Sequence, residues 1–193
     1  MSTLDVAQPQ SVPQADATEK RRVRWGWIVA FATLALLMGF LGWGLWKSLT
    51  GPRSSGVAPD FTIESYDGRT VTLSKLRGQV LIVNFWASWC LPCREEAAYL
   101  EQTWRKYKDK GVMFVGVDWV DTPTNALAYI KEFDITYPNG PDLGTKIAQA
   151  FRIQGVPETY YVDKRGTLRG VHIGPLKSPE LDQKIDELLA EKP

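Results

Sequence analysis

The 193-residue chain contains two cysteines, and they stand together as Cys90-Leu91-Pro92-Cys93. A bridge over two intervening residues closes so small a loop that it constrains little of the unfolded chain, so its value as a structural staple is slight. Reversible thiol chemistry is the better use of that spacing. A thiol attacks as its thiolate, and the unpaired N–H groups and dipole of a helix N-terminus stabilise the charge. Cys90 lies where an apolar, strand-like run passes into a helix-like one, so it is the attacking sulfur. Cys93, one turn on, is placed to close a disulfide with it and release a substrate held as a mixed disulfide. The redox group is then the Cys90–Cys93 pair itself, with no other cofactor. A structural zinc site wants four ligands, and two thiols with the single histidine, His172, fall short, so no metal site is expected.

The elements that must hold this pair follow from hydrophobic pattern. Residues 79–86, Gln-Val-Leu-Ile-Val-Asn-Phe-Trp, form a near-continuous apolar run, the mark of a central strand buried on both faces. A helix is expected from about residue 90 to 110, ended by Gly111, and residues 112–117 form the next buried strand. A strand, helix, strand order with a crossover of that length implies parallel pairing. Before this unit, residues 58–63 and 66–73 read as a hairpin across Asp67-Gly68. After it come short helices at 123–133 and 144–151, separated by a turn-rich stretch at 137–142. Residues 159–163 and 168–173 form an antiparallel pair, and 178–191 an amphipathic helix with Ser178 as N-cap and Pro179 at its first position. The fold class is α/β: a thioredoxin fold, with a central mixed sheet flanked by helices, an N-terminal hairpin and a helical insertion.

The run Val83-Asn84-Phe85-Trp86-Ala87-Ser88-Trp89-Cys90-Leu91-Pro92-Cys93-Arg94-Glu95-Glu96, with Gly155-Val156-Pro157-Glu158-Thr159-Tyr160 some sixty residues on, resembles the membrane-anchored thioredoxin-like proteins of the TlpA, ResA and DsbE (CcmG) type. The likeness covers roughly residues 57–190. It implies a thiol–disulfide oxidoreductase that faces out of the cytoplasm and is kept reduced by a membrane electron donor of the CcdA or DsbD type. The substrate class it implies is the disulfide of apocytochrome c, reduced so that haem can attach. It makes Pro157 a cis-proline opposite the active-site helix, with Val156 offering its backbone to an extended substrate. Glu158 follows and is a third candidate for the substrate groove. Trp89 and Pro92, around the thiols, are substrate-surface candidates. Pro92, with no histidine between the cysteines, is the pattern of reducing thioredoxins.

Thioredoxin itself carries a buried aspartate where this chain has Asn84, and an amide cannot move a proton. Another base is needed. Cys93, Glu96, Leu100, Trp104 and Tyr107 share one side of the expected helix, and the last three are apolar, so Glu96 belongs to the inward stripe. A carboxylate buried there has a raised pKa and suits proton exchange with Cys93. ResA-type proteins have a glutamate at the same offset. Glu95 points about 100° away, toward solvent.

Residues 25–46 carry no charge for 22 positions, about the ~20 needed to span ~30 Å of hydrocarbon, and tryptophans 25, 27, 43 and 46 mark both ends. A cleaved signal peptide is the rival reading, but its apolar region usually runs only ~7–15 residues before a small-residue cleavage site, so the segment reads as a transmembrane anchor, preceded by a disordered tail, 1–24, and followed by a linker, 47–56, and the thioredoxin-like domain, 57–193. Lys20, Arg21, Arg22 and Arg24 put the N-terminus in the cytoplasm and the domain outside it. Of 23 basic and 22 acidic residues, five and three lie in the first 50, leaving 18 and 19, a net of −1 that gives no nucleic-acid footprint. A different class of function also uses paired thiols: binding Cu(I) as a chaperone in the assembly of a copper centre, or acting as reductant there. Copper carriers tend to add Met or His ligands. Met1 and Met38 lie outside the domain and Met113 sits in a buried strand, which favours the reductase. A peroxidatic site would need a Thr and Pro cradle before one active cysteine, and the sequence has none.

Overall fold

All seven residues of one strand, Val80–Trp86 (β4), are buried, so it must sit in the middle of its domain with a packed layer on each side. The computed structural model, which describes residues 17–49 and 51–191, places it there. It pairs in parallel with Val112–Asp118 (β5) and antiparallel with Glu158–Val162 (β7). Strand Thr167–Ile173 (β8) continues the sheet beyond β7, and two short strands close its edges, Gly56–Val57 (β1) on β8 and Asn139–Pro141 (β6) on β5. The six-stranded mixed sheet, in the order β1-β8-β7-β4-β5-β6, has a helix layer on each face, as the thioredoxin fold requires.

Alternation along β4 sorts the two layers. Val80, Ile82 and Trp86 pack with Leu100 and Trp104 of helix Leu91–Tyr107 (α2) and with Leu181, Ile185 and Leu188 of Glu180–Ala190 (α5). Leu81, Val83 and Phe85 face Phe151 of the short helix Lys146–Phe151 (α4), together with Ile63 and Val71 of the hairpin Thr62–Glu64 (β2) and Thr70–Thr72 (β3). Asn84 has the parity of Ile82 and Trp86, so its amide points toward α2. Helix Pro123–Glu132 (α3), begun by a Thr122 side chain that accepts from the Asn125 N–H, is the insertion after β5.

Several expectations need correction. The turn-rich 137–142 contains β6, because Gly116 lets Asn139 approach: a Cβ at Gly116 would lie 1.7 Å from Asn139 Oδ1. The linker ends sooner than residue 56, since Gly56 already belongs to β1. Helix α5 starts at Glu180 after a cis Ser178–Pro179 peptide, and Ser178 does not cap it. Helix α2 ends at Tyr107, three residues short of Lys110, and Gly111 takes the left-handed φ of +78° that leads into β5.

The apolar segment forms a separate unit, divided from the domain between Leu49 and Thr50. Its helix, Ala17–Leu49 (α1), is longer than the 25–46 span at both ends. Residues 17–24, expected as part of a disordered tail, and 47–49, expected as linker, are helical; Lys20–Arg24 are mostly good helix formers next to a nucleated apolar helix. The rest of the expected tail, 1–16, lies outside the described residues. Trp25–Trp46 is long and apolar enough to cross a membrane, with a mean hydropathy of 2.1.

Candidate active site

The β4–α2 junction presents the thiols. Cys90 is the N-cap of α2, in extended backbone, and its sulfur accepts from the Cys93 N–H at 3.1 Å. That is the contact a thiolate would use, since an N-cap acceptor meets donors the helix leaves unpaired. The two sulfurs are bonded as a disulfide, with Cα atoms 5.3 Å apart. Cys90 is 4% exposed and Cys93 fully buried, so an incoming disulfide reaches the former alone. Pro92, at the start of the helix where no N–H is missed, is exposed beside them.

Glu96 is where the helical stripe puts it, 1% exposed and on the buried side with Cys93, while Glu95 is in solvent. Its two oxygens each accept one hydrogen bond, Oε1 from the Asn84 side-chain amide at 2.9 Å and Oε2 from the Leu176 N–H at 2.7 Å. Burial pushes its pKa up to about 7, against the lowering pull of those two donors. The Asn84 amide also donates to Thr159 Oγ1 at 2.9 Å, so both its hydrogens are used and its orientation is fixed. The Tyr129 hydroxyl donates to the Cys93 carbonyl at 2.9 Å while its ring stacks on Trp86, centroids 4.3 Å apart.

Across from the helix, the Val156–Pro157 peptide is cis and the Val156 carbonyl oxygen lies 3.6 Å from Cys90 Sγ. Pro92, Val156, Pro157, Ile173 and Pro175 line a groove of about 270 Å³ there. Glu158 also belongs to the lining of that groove. It is 1% exposed; Oε1 accepts from the N–H groups of Gln154 (2.7 Å) and Gly155 (3.2 Å), and Oε2 from the Tyr160 hydroxyl (2.7 Å). Turned inward at the strand end, its carboxylate anchors the loop before the cis-proline, beside the groove where the sequence places it.

Trp89 is 58% exposed, and its indole N–H donates to the Val120 carbonyl at 3.0 Å. The β5–α3 turn also holds the loop before Cys90 through Asp121, which accepts from the Ser88 N–H at 2.6 Å, and through the Trp119 N–H on the Trp86 carbonyl at 2.9 Å. Asp118, at the end of β5, is a second buried carboxylate. Burial, reinforced by the charge of Asp121, raises its pKa to about 6 although the Tyr66 hydroxyl donates to it at 2.7 Å. Sequence patterning flagged neither this turn nor Leu176 or Tyr129, which reach the site only through tertiary contact, and it gave Thr159 only as part of the motif after Pro157. Among the described residues no group of three or more His, Cys, Asp or Glu could hold a metal ion, and His172 lies 3.7 Å from Glu180.

This arrangement suits exchange between a dithiol and a disulfide, and several known proteins are similar over most of the domain. Residues 55–171 match the AhpC/TSA family. The thioredoxin-like protein YneN of Bacillus subtilis is 29% identical over 160 residues, 79% of this chain and 93% of that one. The thiol-disulfide oxidoreductase ResA of Oceanobacillus iheyensis is 32% identical over 140 residues, 70% of this chain and 73% of that one. The crystal structure of a thiol:disulfide interchange protein of the DsbE kind from Chlorobium tepidum superposes with a TM-score of 0.67 at 27% identity, covering 72% of this chain and all of the other.

Proposed function

Because the chain belongs to the AhpC/TSA family and is a thiol–disulfide oxidoreductase of the ResA and DsbE type, we propose that it is a membrane-tethered, extracytoplasmic reductant of protein disulfides, with apocytochrome c as its substrate class. The observation that carries this reading is a carboxylate buried one helical turn from Cys93 with a pKa near neutrality. A buried thiol that must become a nucleophile needs such a proton acceptor.

In the reducing half-reaction the Cys90 thiolate attacks one sulfur of the substrate disulfide and expels the other as a thiolate. Glu96 takes the proton of Cys93, whose thiolate then attacks Cys90 in the mixed disulfide. The second substrate sulfur leaves, and the Cys90–Cys93 disulfide forms. Two electrons have passed from protein to substrate. The groove beside Val156 and Pro157 holds the substrate segment extended across Cys90. A membrane electron donor of the CcdA or DsbD type restores the dithiol. The apolar helix and its basic N-terminal flank support a single span with the domain outside. The substrate assignment rests on the likeness to ResA and DsbE proteins.

Cys93→Ala cannot resolve the mixed disulfide, so expressed in cells it should accumulate covalent adducts through Cys90. Identifying them by mass spectrometry tests the substrate: apocytochrome c is expected. Adducts made chiefly of a copper-centre protein, or none at all, would overturn the assignment.

A further inference from the structure

Val120 is a strained residue in the turn that grips the loop before Cys90. Its φ is +53°, in the left-handed region, where a β-branched side chain is a genuine outlier. Such a conformation persists only where neighbouring structure over-determines it, and it concentrates at functional sites. Here the Trp119 N–H on Trp86 and the Asp121 carboxylate on Ser88 fix the turn from both sides against the loop that carries Cys90. The result is a Val120 carbonyl aimed at the Trp89 indole N–H and an isopropyl group left 59% exposed. Glycine or asparagine would hold the same backbone with less strain. The isopropyl group is therefore the feature that needs a purpose.

Its surroundings supply one. Trp89 is 58% and Leu91 67% exposed, both next in sequence to a Cys90 that is only 4% exposed. The Trp89 and Trp119 rings lie 6.3 Å apart, so Trp119 extends the apolar surface beside Trp89. A substrate cysteine that reaches Cys90 meets Trp89 and Leu91 on either side of it in the chain, and exposed apolar side chains beside a reacting atom mark a contact surface. The carboxylate of Asp121, next to Val120 in sequence, accepts from the Ser88 N–H, and its charge disfavours an acidic neighbour.

We infer that Val120 is a specificity-determining residue: with Trp89 it forms the second wall of the substrate path, opposite Val156 and Pro157, and selects segments with an apolar rather than acidic residue beside the target cysteine. The inference rests on the oxidoreductase reading of the thiols and adds a preference that reading does not contain.

The test uses the full chain in detergent with dithiothreitol as electron source and two short peptides. Each carries one cysteine as its mixed disulfide with glutathione, flanked by leucines in one and by aspartates in the other. The unmodified protein should favour the leucine peptide in kcat/KM. Val120→Asn, which keeps the left-handed turn, should lower the leucine-to-aspartate ratio about tenfold, the low end of what methyl groups contribute in an apolar contact. The loss should lie in KM. Val120→Gly, which removes the side chain without adding a polar one, should do the same. An unchanged ratio in both variants, or an equal loss for both peptides, overturns the inference while leaving the thiol chemistry standing. An unmodified protein that reduces neither peptide overturns that chemistry and the inference with it.

Discussion

Glu96 and Glu158 are each 1% exposed, and each stands beside a landmark of the site, one three residues after Cys93 and the other directly after Pro157. They lie on opposite faces of the sheet, Glu96 under α2 and Glu158 on the side of Phe85 and Tyr160. Their donors differ. Glu158 receives three hydrogen bonds, two of them from consecutive backbone N–H groups of the 154–155 loop, so its charge is matched by a structure that depends on it. Glu96 receives two, in apolar surroundings, and burial outweighs them, so that its proton affinity falls near neutral pH. At equal exposure one carboxylate holds a loop, and the other, raised by burial, is placed to exchange a proton.

The comparison breaks first if the anchor can be removed cheaply. Glu158→Ala leaves two loop N–H groups without their acceptor, while the Tyr160 hydroxyl keeps the Phe151 carbonyl at 3.3 Å, and at about 1–3 kcal/mol for each group not rescued by water the loss should total about 4 kcal/mol. Urea unfolding reads this as a lower midpoint with an unchanged slope. A loss below about 1 kcal/mol would show that the loop holds itself.

The proton site makes a prediction of opposite character. The folded pKa of Glu96, about 7, lies above its ordinary 4.5, so the folded protein binds the proton more tightly than the unfolded chain. Its contribution to stability is complete below about pH 4.5 and disappears as pH rises through 7, on the order of 3 kcal/mol. Asp118, raised from 3.8 to about 6, loses its contribution in the same direction but at lower pH. Stability measured against pH should therefore fall through both ranges in the unmodified protein. In Glu96→Gln it should fall only through the lower one. Identical profiles would remove Glu96 as the neutral-pH group.

How far the sequence discloses this contrast depends on the range of the forces involved. Burial of β4 and the inward side of α2 are periodic properties of local sequence, and Glu96 could be placed by counting along one helix. The turn that grips the Cys90 loop, the N–H of Leu176 and the docking of β6 arise from segments far apart in sequence, meeting where topology brings them. Glu158 shows the limit most sharply. Its strand was expected, but a single register choice decides whether a strand-end side chain faces solvent or the interior. Inward orientation here depends on a loop whose amides happen to need an acceptor.

The finest test concerns what holds Glu96 short of a still higher pKa. Of the two donors that oppose burial, the Leu176 N–H is backbone, but the Asn84 amide can be removed. Asn84→Leu, close in volume, takes away the hydrogen bond to Oε1 and the one to Thr159 without adding charge. Hydrogen bonds that favour the ionised carboxylate hold its pKa down, so their loss must move the titration upward. The expected size is about one pH unit, equivalent to ~1.4 kcal/mol. The midpoint of the pH dependence of disulfide reduction should follow it, and a carboxyl probe such as ¹³C-labelled glutamate should report the same shift directly. A shift in the rate profile without one in the carboxyl signal would place the titration on Cys93 instead. A midpoint that stays put in both would mean that burial alone sets Glu96, and that Asn84, at the position where thioredoxin carries an aspartate, serves to hold Thr159 and β7 rather than to tune the proton acceptor.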